Sequence, residues 1–231
     1  RDDLVTGVQT CALPISLLDL LFKSECSLCG RDSREPICDR CRPNLERLAH
    51  RNRERLWRLS PPTFVWGQYR GDLKRAIAAM KYSNRPQIGE YLGTRLGRAW
   101  MASAQRRKVG QVIVVPLPMH PKKRRDRGFD QAEEIARGFC EVTGAPLVER
   151  GLERVRATRA LFDLSPDERR RELARAFRVG PDRERLIQLD RPILLVDDIL
   201  TTGATAKAGK AALDAARLPV AGLAAIATTA Q

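Results

Sequence analysis

The sequence predicts an α/β chain: an open, mostly parallel sheet with helices on both faces, preceded by a small cysteine-bearing module. Three observations predict it. From Phe64 onward, short apolar runs of strand length alternate with segments of helical period. Two C-x-x-C pairs lie ahead of that alternation, and one strand-like run leads into two carboxylates and a turn rich in hydroxyls and glycine. A length of 231 residues leaves room for one α/β domain of ordinary size plus something small.

Composition narrows the class. An apolar fraction of 43% beside 30% charged residues is that of a globular chain, and no Gln, Ser or Pro run marks a long disordered region. The net charge of +14 and a pI near 10.2 favour anionic partners: nucleic acid, polyphosphates, phosphorylated metabolites or an acidic protein. A coding background that writes Arg wherever a solvated cation serves would account for the surplus equally well. No stretch approaches the roughly 20 apolar residues that span a bilayer. The run at 17–22 is interrupted by Asp19 and is too short for a signal peptide. These features predict a cytoplasmic chain without membrane insertion.

The chain divides into three parts. Residues 1–16 (RDDLVTGVQTCALPIS) start at Arg rather than Met and have no periodicity. They read as a non-native leader of translated-adapter type, which leaves Cys11 without a function; a genuine, poorly ordered tail is the alternative. Residues 17–58 hold a metal-binding module and a basic linker, and residues 59–231 hold the α/β domain.

In the module, Cys26-x-x-Cys29 and Cys38-x-x-Cys41 are separated by eight residues. A C-x-x-C turn sets two thiolates on one side of a tight loop, as a tetrahedral Zn²⁺ requires, and Gly30 suits such a turn. The intervening segment has the length of a short hairpin, so the pairs can face each other across one metal. Four thiolates without a nearby His predict a closed, structural zinc site; an iron–sulfur centre or a redox dithiol are the alternatives. Cys140 reads as a core residue on a helix. The Arg-rich stretch at 42–58 reads as a solvated linker face or as a basic strip that meets nucleic acid.

The elements of the body follow in order. Leu73, Ile77 and Met80 fall at helical spacing, as do Ile88, Leu92 and Leu96. Val112–Val115 is a β-branched run stopped by Pro116, which predicts a buried strand ending in a loop. Phe129, Ala132, Ile135, Ala136 and Phe139 make another helical face. Ser165-Pro166-Asp167-Glu168 is a capping box with Pro at the first helical position. Residues 193–196 form a buried strand, 204–216 a small-residue helix and 220–227 a last strand. In such sheets ligands bind beyond the carboxyl ends of the strands.

That rule directs attention to ILLVDDILTTGAT at 193–205. The apolar run enters the sheet, Asp197 and Asp198 emerge at its end, and Thr201, Thr202, Gly203, Ala204 and Thr205 lead into a helix. Backbone N–H groups of such a turn, with Thr hydroxyls as further donors, suit a phosphate. The two carboxylates stand where vicinal sugar hydroxyls can donate to them. Neither G-x-x-x-x-G-K-[ST] nor G-x-G-x-x-G is present, which excludes a P-loop or dinucleotide fingerprint.

The whole stretch resembles the motif by which type I phosphoribosyltransferases bind 5-phosphoribosyl 1-pyrophosphate (PRPP). VPLPMHP at 115–121, the cations at 122–127, RGFDQA at 127–132, Tyr69-Arg70-Gly71, Met80-Lys81-Tyr82 and the cysteine module are together similar to the competence protein F (ComF) family. Departures are Asp130, Leu161 and Glu172, where the family commonly has Asn, Gln and Asn, and Lys23 in place of a typical Pro.

The resemblance implies a type I phosphoribosyltransferase fold and a PRPP-binding protein of nucleotide metabolism or DNA uptake (competence). As a transferase, it would displace pyrophosphate at the anomeric carbon with an unidentified nitrogenous acceptor. Asp197 and Asp198 would be the catalytic pair, residues 201–205 would cradle the 5′-phosphate, and Mg²⁺ would accompany PRPP. Candidate pyrophosphate contacts are Lys81, just after a predicted helix, and Lys122, Lys123, Arg124, Arg125 and Arg127 in a predicted loop. The alternative for that loop is a solvated basic surface that meets DNA. His120 reads as a loop residue without a catalytic role and Tyr82 as a packing residue. The alternative function is a non-catalytic sensor of PRPP or nucleotides, or a module handling single-stranded DNA alongside DNA-uptake proteins.

Overall fold

A computed structural model describes residues 24–49, 54–155 and 176–230. The leader at 1–16, residues 17–23 with Lys23, the capping box at 165–168 and the departures Leu161 and Glu172 lie outside the described residues.

In chain order, β1 (Ser24–Glu25) pairs antiparallel with β2 (Asp32–Ser33), and α1 (Arg42–Glu46) and α2 (Glu54–Trp57) follow. Then come β3 (Thr63–Gln68), α3 (Gly71–Tyr82), α4 (Gln87–Met101), α5 (Ala104–Val109), β4 (Ile113–Pro116), α6 (Pro121–Arg127) and α7 (Gln131–Thr143). The antiparallel pair β5 (Leu152–Arg154) and β6 (Phe177–Val179) precedes α8 (Arg183–Leu189), β7 (Ile193–Leu200), α9 (Ala204–Ala215) and β8 (Val220–Thr228).

Four strands make the central sheet in the order β3-β8-β7-β4, and every pairing is parallel. A parallel sheet is covered on both faces, so its strands are apolar throughout, with alternate side chains directed to opposite sides. Phe64, Trp66, Val114, Leu194, Val196 and Ala224 enter one apolar cluster, with α3, α4 and α7. Val65, Ile113, Val115, Ile193, Leu195 and Leu223 enter the other, with α8, α9 and the β5–β6 pair. Among the described residues, each outer strand is flanked by one further bridge, Ala49 to Gly67 and Val114 to Leu147.

Helices α4 and α7 cross at backbone contact. A Cβ on Gly93 would stand 2.1 Å from the Ile135 carbonyl oxygen, and one on Gly138 would stand 2.1 Å from that of Glu90. Gly89 and Gly97 continue the same small-residue row, spaced four apart along α4.

The structure departs from expectation in four places. The strand predicted at 193–196 runs on to Leu200, so Asp197 and Asp198 lie within it. Its register with β8 continues through Leu200 and Thr228, and those backbone bonds hold the acidic segment extended. The cations at 122–127 are not in a loop but on α6. His120 caps that helix, its Nδ1 accepting the Lys122 N–H at 3.2 Å; Pro121 opens it and Gly128, at φ +82°, closes it. Lys81 lies inside the last turn of α3 rather than after it. The cysteine hairpin encloses the first C-x-x-C pair, between β1 and β2, rather than separating the two pairs.

The cysteine module is docked on the first face. Cys26, Leu28, Ile37 and Leu45 are buried in the same cluster as α3 and α4. Arg75 Nη2 donates to the Leu28 carbonyl at 2.6 Å, and Arg85 Nη1 donates to that of Glu25 at 2.7 Å. Among the described residues, no helix is long and apolar enough to cross a membrane.

Candidate ligand pocket and cysteine cluster

A cavity of about 370 Å³ opens beyond the carboxyl ends of β4 and β7. Its wall carries Asp197, Asp198, Thr201 and Thr205 from the β7–α9 segment, Lys81 and Tyr82 from α3, and Lys123 and Arg127 from α6. Segments far apart in the chain thus converge, because parallel strands send their following loops to the same end of the sheet.

The predicted residues divide. Lys122, Arg124 and Arg125 are absent from this wall. Arg124 turns instead to α7, where its Nη2 donates to Glu133 Oε2 at 2.8 Å and its Nη1 to the other carboxylate oxygen. Glu133 is only 4% exposed, so this two-pronged bond anchors α6. Thr202 and Gly203 line a neighbouring recess of about 190 Å³ behind the turn, with Thr201 shared between the two. Gly203 adopts φ +71° as the residue before α9, a conformation that L side chains rarely take. Ala204 begins that helix, and its N–H points to Thr202 Oγ1 at 3.4 Å.

The acidic pair is electrostatically loaded. Asp198 Oδ2 is in an ion pair with Lys81 Nζ. Asp197 Oδ1 accepts the Asp198 N–H at 2.8 Å. Burial pushes the Asp197 carboxyl well above the usual carboxylate range and the charge of Asp198 adds to this, while the Asp198 N–H and Lys81 oppose it.

Two charged wall residues were missed as candidates. Arg154, on β5, lies in the field of both Asp197 and Asp130 and 5.5 Å from the Phe177 ring centre; burial lowers its guanidinium while the two carboxylates oppose. A three-residue strand offers no periodicity from which to read it. Asp130, noted only as a departure, caps α7 and is 2% exposed. It accepts the Met119 N–H at 2.7 Å and the Ala132 N–H at 3.0 Å. Burial pushes its carboxyl up to about 6 against those two bonds. Tyr82 does not pack: it is 80% exposed at the cavity mouth, with the Arg127 guanidinium 5.9 Å from its ring centre. Cys140 is half-buried against the first cluster, and burial pushes its thiol up to about 12.

The second centre is the cysteine set. The four sulfurs of Cys26, Cys29, Cys38 and Cys41 lie within 4.8 Å of one another, close enough to hold one metal ion. Cys29 Sγ and Cys38 Sγ are 3.7 Å apart. Bonds of about 2.3 Å to a tetrahedral Zn²⁺ would set sulfurs roughly 3.8 Å apart, so the set fits that ion. Burial acts to raise the Cys26 thiol, but the backbone N–H groups of Cys38, Leu28 and Cys29 draw it down to about 6. Burial and the neighbouring thiols push Cys41 up to about 12.

No family model matches the chain. Competence protein F of Haemophilus influenzae is 25% identical over 190 residues, which cover 78% of this chain and 80% of that protein. DNA utilization protein YhgH of Escherichia coli (strain K12) is 28% identical over 187 residues, 78% of this chain and 79% of its own. The chain has ComF-family homologues. Another of these ComF relatives, the YhgH protein of Salmonella typhi, is 27% identical over 140 residues, 59% of each chain.

Proposed function

We propose that the chain binds PRPP with Mg²⁺ and acts as a phosphoribosyltransferase-like protein of nucleotide metabolism or DNA uptake, in the cytoplasm. The convergence of Asp197, Asp198, Thr201 and Thr205 with Lys81, Lys123 and Arg127 on one cavity carries this reading. In it, residues 59–231 form the phosphoribosyltransferase-like domain, and the four-cysteine set holds a structural zinc.

The chemistry suits the donors. The carboxylates would accept from the ribose hydroxyls, and Thr201 and Thr205, the residues of the 201–205 turn that face this cavity, would hold the 5′-phosphate. Lys81, Lys123 and Arg127 would meet the pyrophosphate. Carboxylate and hydroxyl oxygens are the hard donors that Mg²⁺ takes, and the ion would offset the charge of the leaving group. In the transfer itself, the bond from the anomeric carbon to a pyrophosphate oxygen breaks and its electron pair leaves with pyrophosphate. The acceptor nitrogen then bonds to that carbon and loses a proton.

A second reading, a module that handles single-stranded DNA without turnover, draws on a different feature. Arg31, Arg34 and Arg40 line an open cavity of about 460 Å³ beside Cys38, which Asp32, Glu35, Asp39 and the ion-paired Arg42 share, and the relatives are named for competence and DNA utilization. The test is calorimetric titration with PRPP and Mg²⁺ of the wild type and of Asp197→Asn/Asp198→Asn. Binding lost in the double variant is the expected result. No binding by the wild type, together with salt-sensitive binding of single-stranded DNA, would move the function to the second reading.

A further inference from the structure

The phosphoribosyl reading gives Lys81 and Asp198 different tasks, the ammonium for pyrophosphate and the carboxylate for ribose hydroxyls. In the structure they are engaged with each other. The pair joins the last turn of α3 to β7, and the two side chains are only 20% and 14% exposed. Water therefore screens it less than a surface pair. The neighbouring cation Arg127 is held elsewhere, its Nη1 donating to Gln131 Oε1 at 2.5 Å, so Lys81 is the cation seated on Asp198.

We propose that Lys81 is a selectivity plug. Its ion pair with Asp198 closes the ribose subsite to sugars phosphorylated at one end only, and it opens for a pentose that brings a second anionic group to receive the ammonium. This deepens the phosphoribosyl reading and rests on it. A ligand such as ribose 5-phosphate must part the two charges and leave the ammonium without a partner in a half-dry cavity, which is costly. A pentose with a diphosphate at the anomeric position exchanges one anion for another, and charge-assisted bonds to phosphate oxygens replace the lost carboxylate. The closed pair thus lowers the apparent affinity of every ligand that cannot compensate for opening it.

The test is calorimetric titration of the full chain and of Lys81→Met and Lys81→Arg, each with PRPP plus Mg²⁺ and with ribose 5-phosphate. Circular dichroism would verify the fold of the variants. The plug predicts that Lys81→Met binds ribose 5-phosphate about fivefold or more tightly than the wild type while binding PRPP more weakly, and that Lys81→Arg keeps the wild-type preference. An unchanged or weakened affinity for ribose 5-phosphate in Lys81→Met, with PRPP still bound by the wild type, overturns the plug and leaves the functional reading standing. Failure of the wild type to bind PRPP overturns both.

Discussion

Replacing Asp130 by Asn should change the pH dependence of stability by an amount that follows from its surroundings. In the folded chain its carboxyl is pushed from 3.8 up to about 6, chiefly by burial. Between those values the native state holds a proton that the unfolded state has released, so stability falls as pH rises through the window. A shift of that size corresponds to about 3 kcal/mol in full, of which roughly 2–3 kcal/mol lies between about pH 4 and pH 7.5. Asn does not titrate, but the Met119 and Ala132 N–H groups bond different oxygens of Asp130, and an Asn side chain places an oxygen at only one of those two positions. That loss costs about 1–3 kcal/mol at every pH. The variant should therefore be less stable than the wild type near pH 4, and the gap should close or reverse near pH 7.5. Urea unfolding of both proteins across that range measures the difference, in which other titrating groups cancel. A difference that stays constant with pH would refute the assignment of a buried, proton-holding carboxyl at this cap.

Two further outcomes follow from the packing. Gly93→Ala should destabilise the fold by about 3 kcal/mol or more, because its Cβ meets the Ile135 carbonyl oxygen at 2.1 Å and both sides of the contact are helix backbone; a loss of unfolding free energy below about 0.5 kcal/mol in denaturant titration would count against the crossing. Freshly purified protein should carry about one zinc per chain, and a chelator that removes it should lower Tm by at least about 10 °C, because Cys26 and the adjoining Leu28 are built into the main core. Metal analysis well below one per chain, an iron–sulfur absorbance or an unmoved Tm would each contradict it.

Much of this architecture is legible in the sequence. The central strands are covered on both faces, so residues 193–196 and 112–115 stand out as uninterrupted apolar runs, and the two C-x-x-C pairs announce a cluster through spacing alone. What escaped has physical causes. Lys81 and Asp198 are brought together only by the tertiary fold, and no local pattern ties them. Arg154 sits on a strand too short to have a period. The face Ile88, Leu92 and Leu96 was visible, yet Gly89, Gly93 and Gly97 one position further on look like weak helix formers until the facing backbone is in place. The cations of α6 resemble a solvated loop, although Pro121 before them and Gly128 after them are the marks of a short helix.

The crossing of α4 and α7 also limits how this chain can diverge. Every coded alternative to glycine carries a Cβ, so any single-codon replacement at Gly93 or Gly138 meets the same carbonyl wall, whatever its polarity or size. A neutral path away from glycine would need both helices to part first, and that displaces Ile88, Leu92 and Phe139 from the sheet they cover. A solvated surface residue can drift on its own; these two positions can change only together with the geometry that surrounds them.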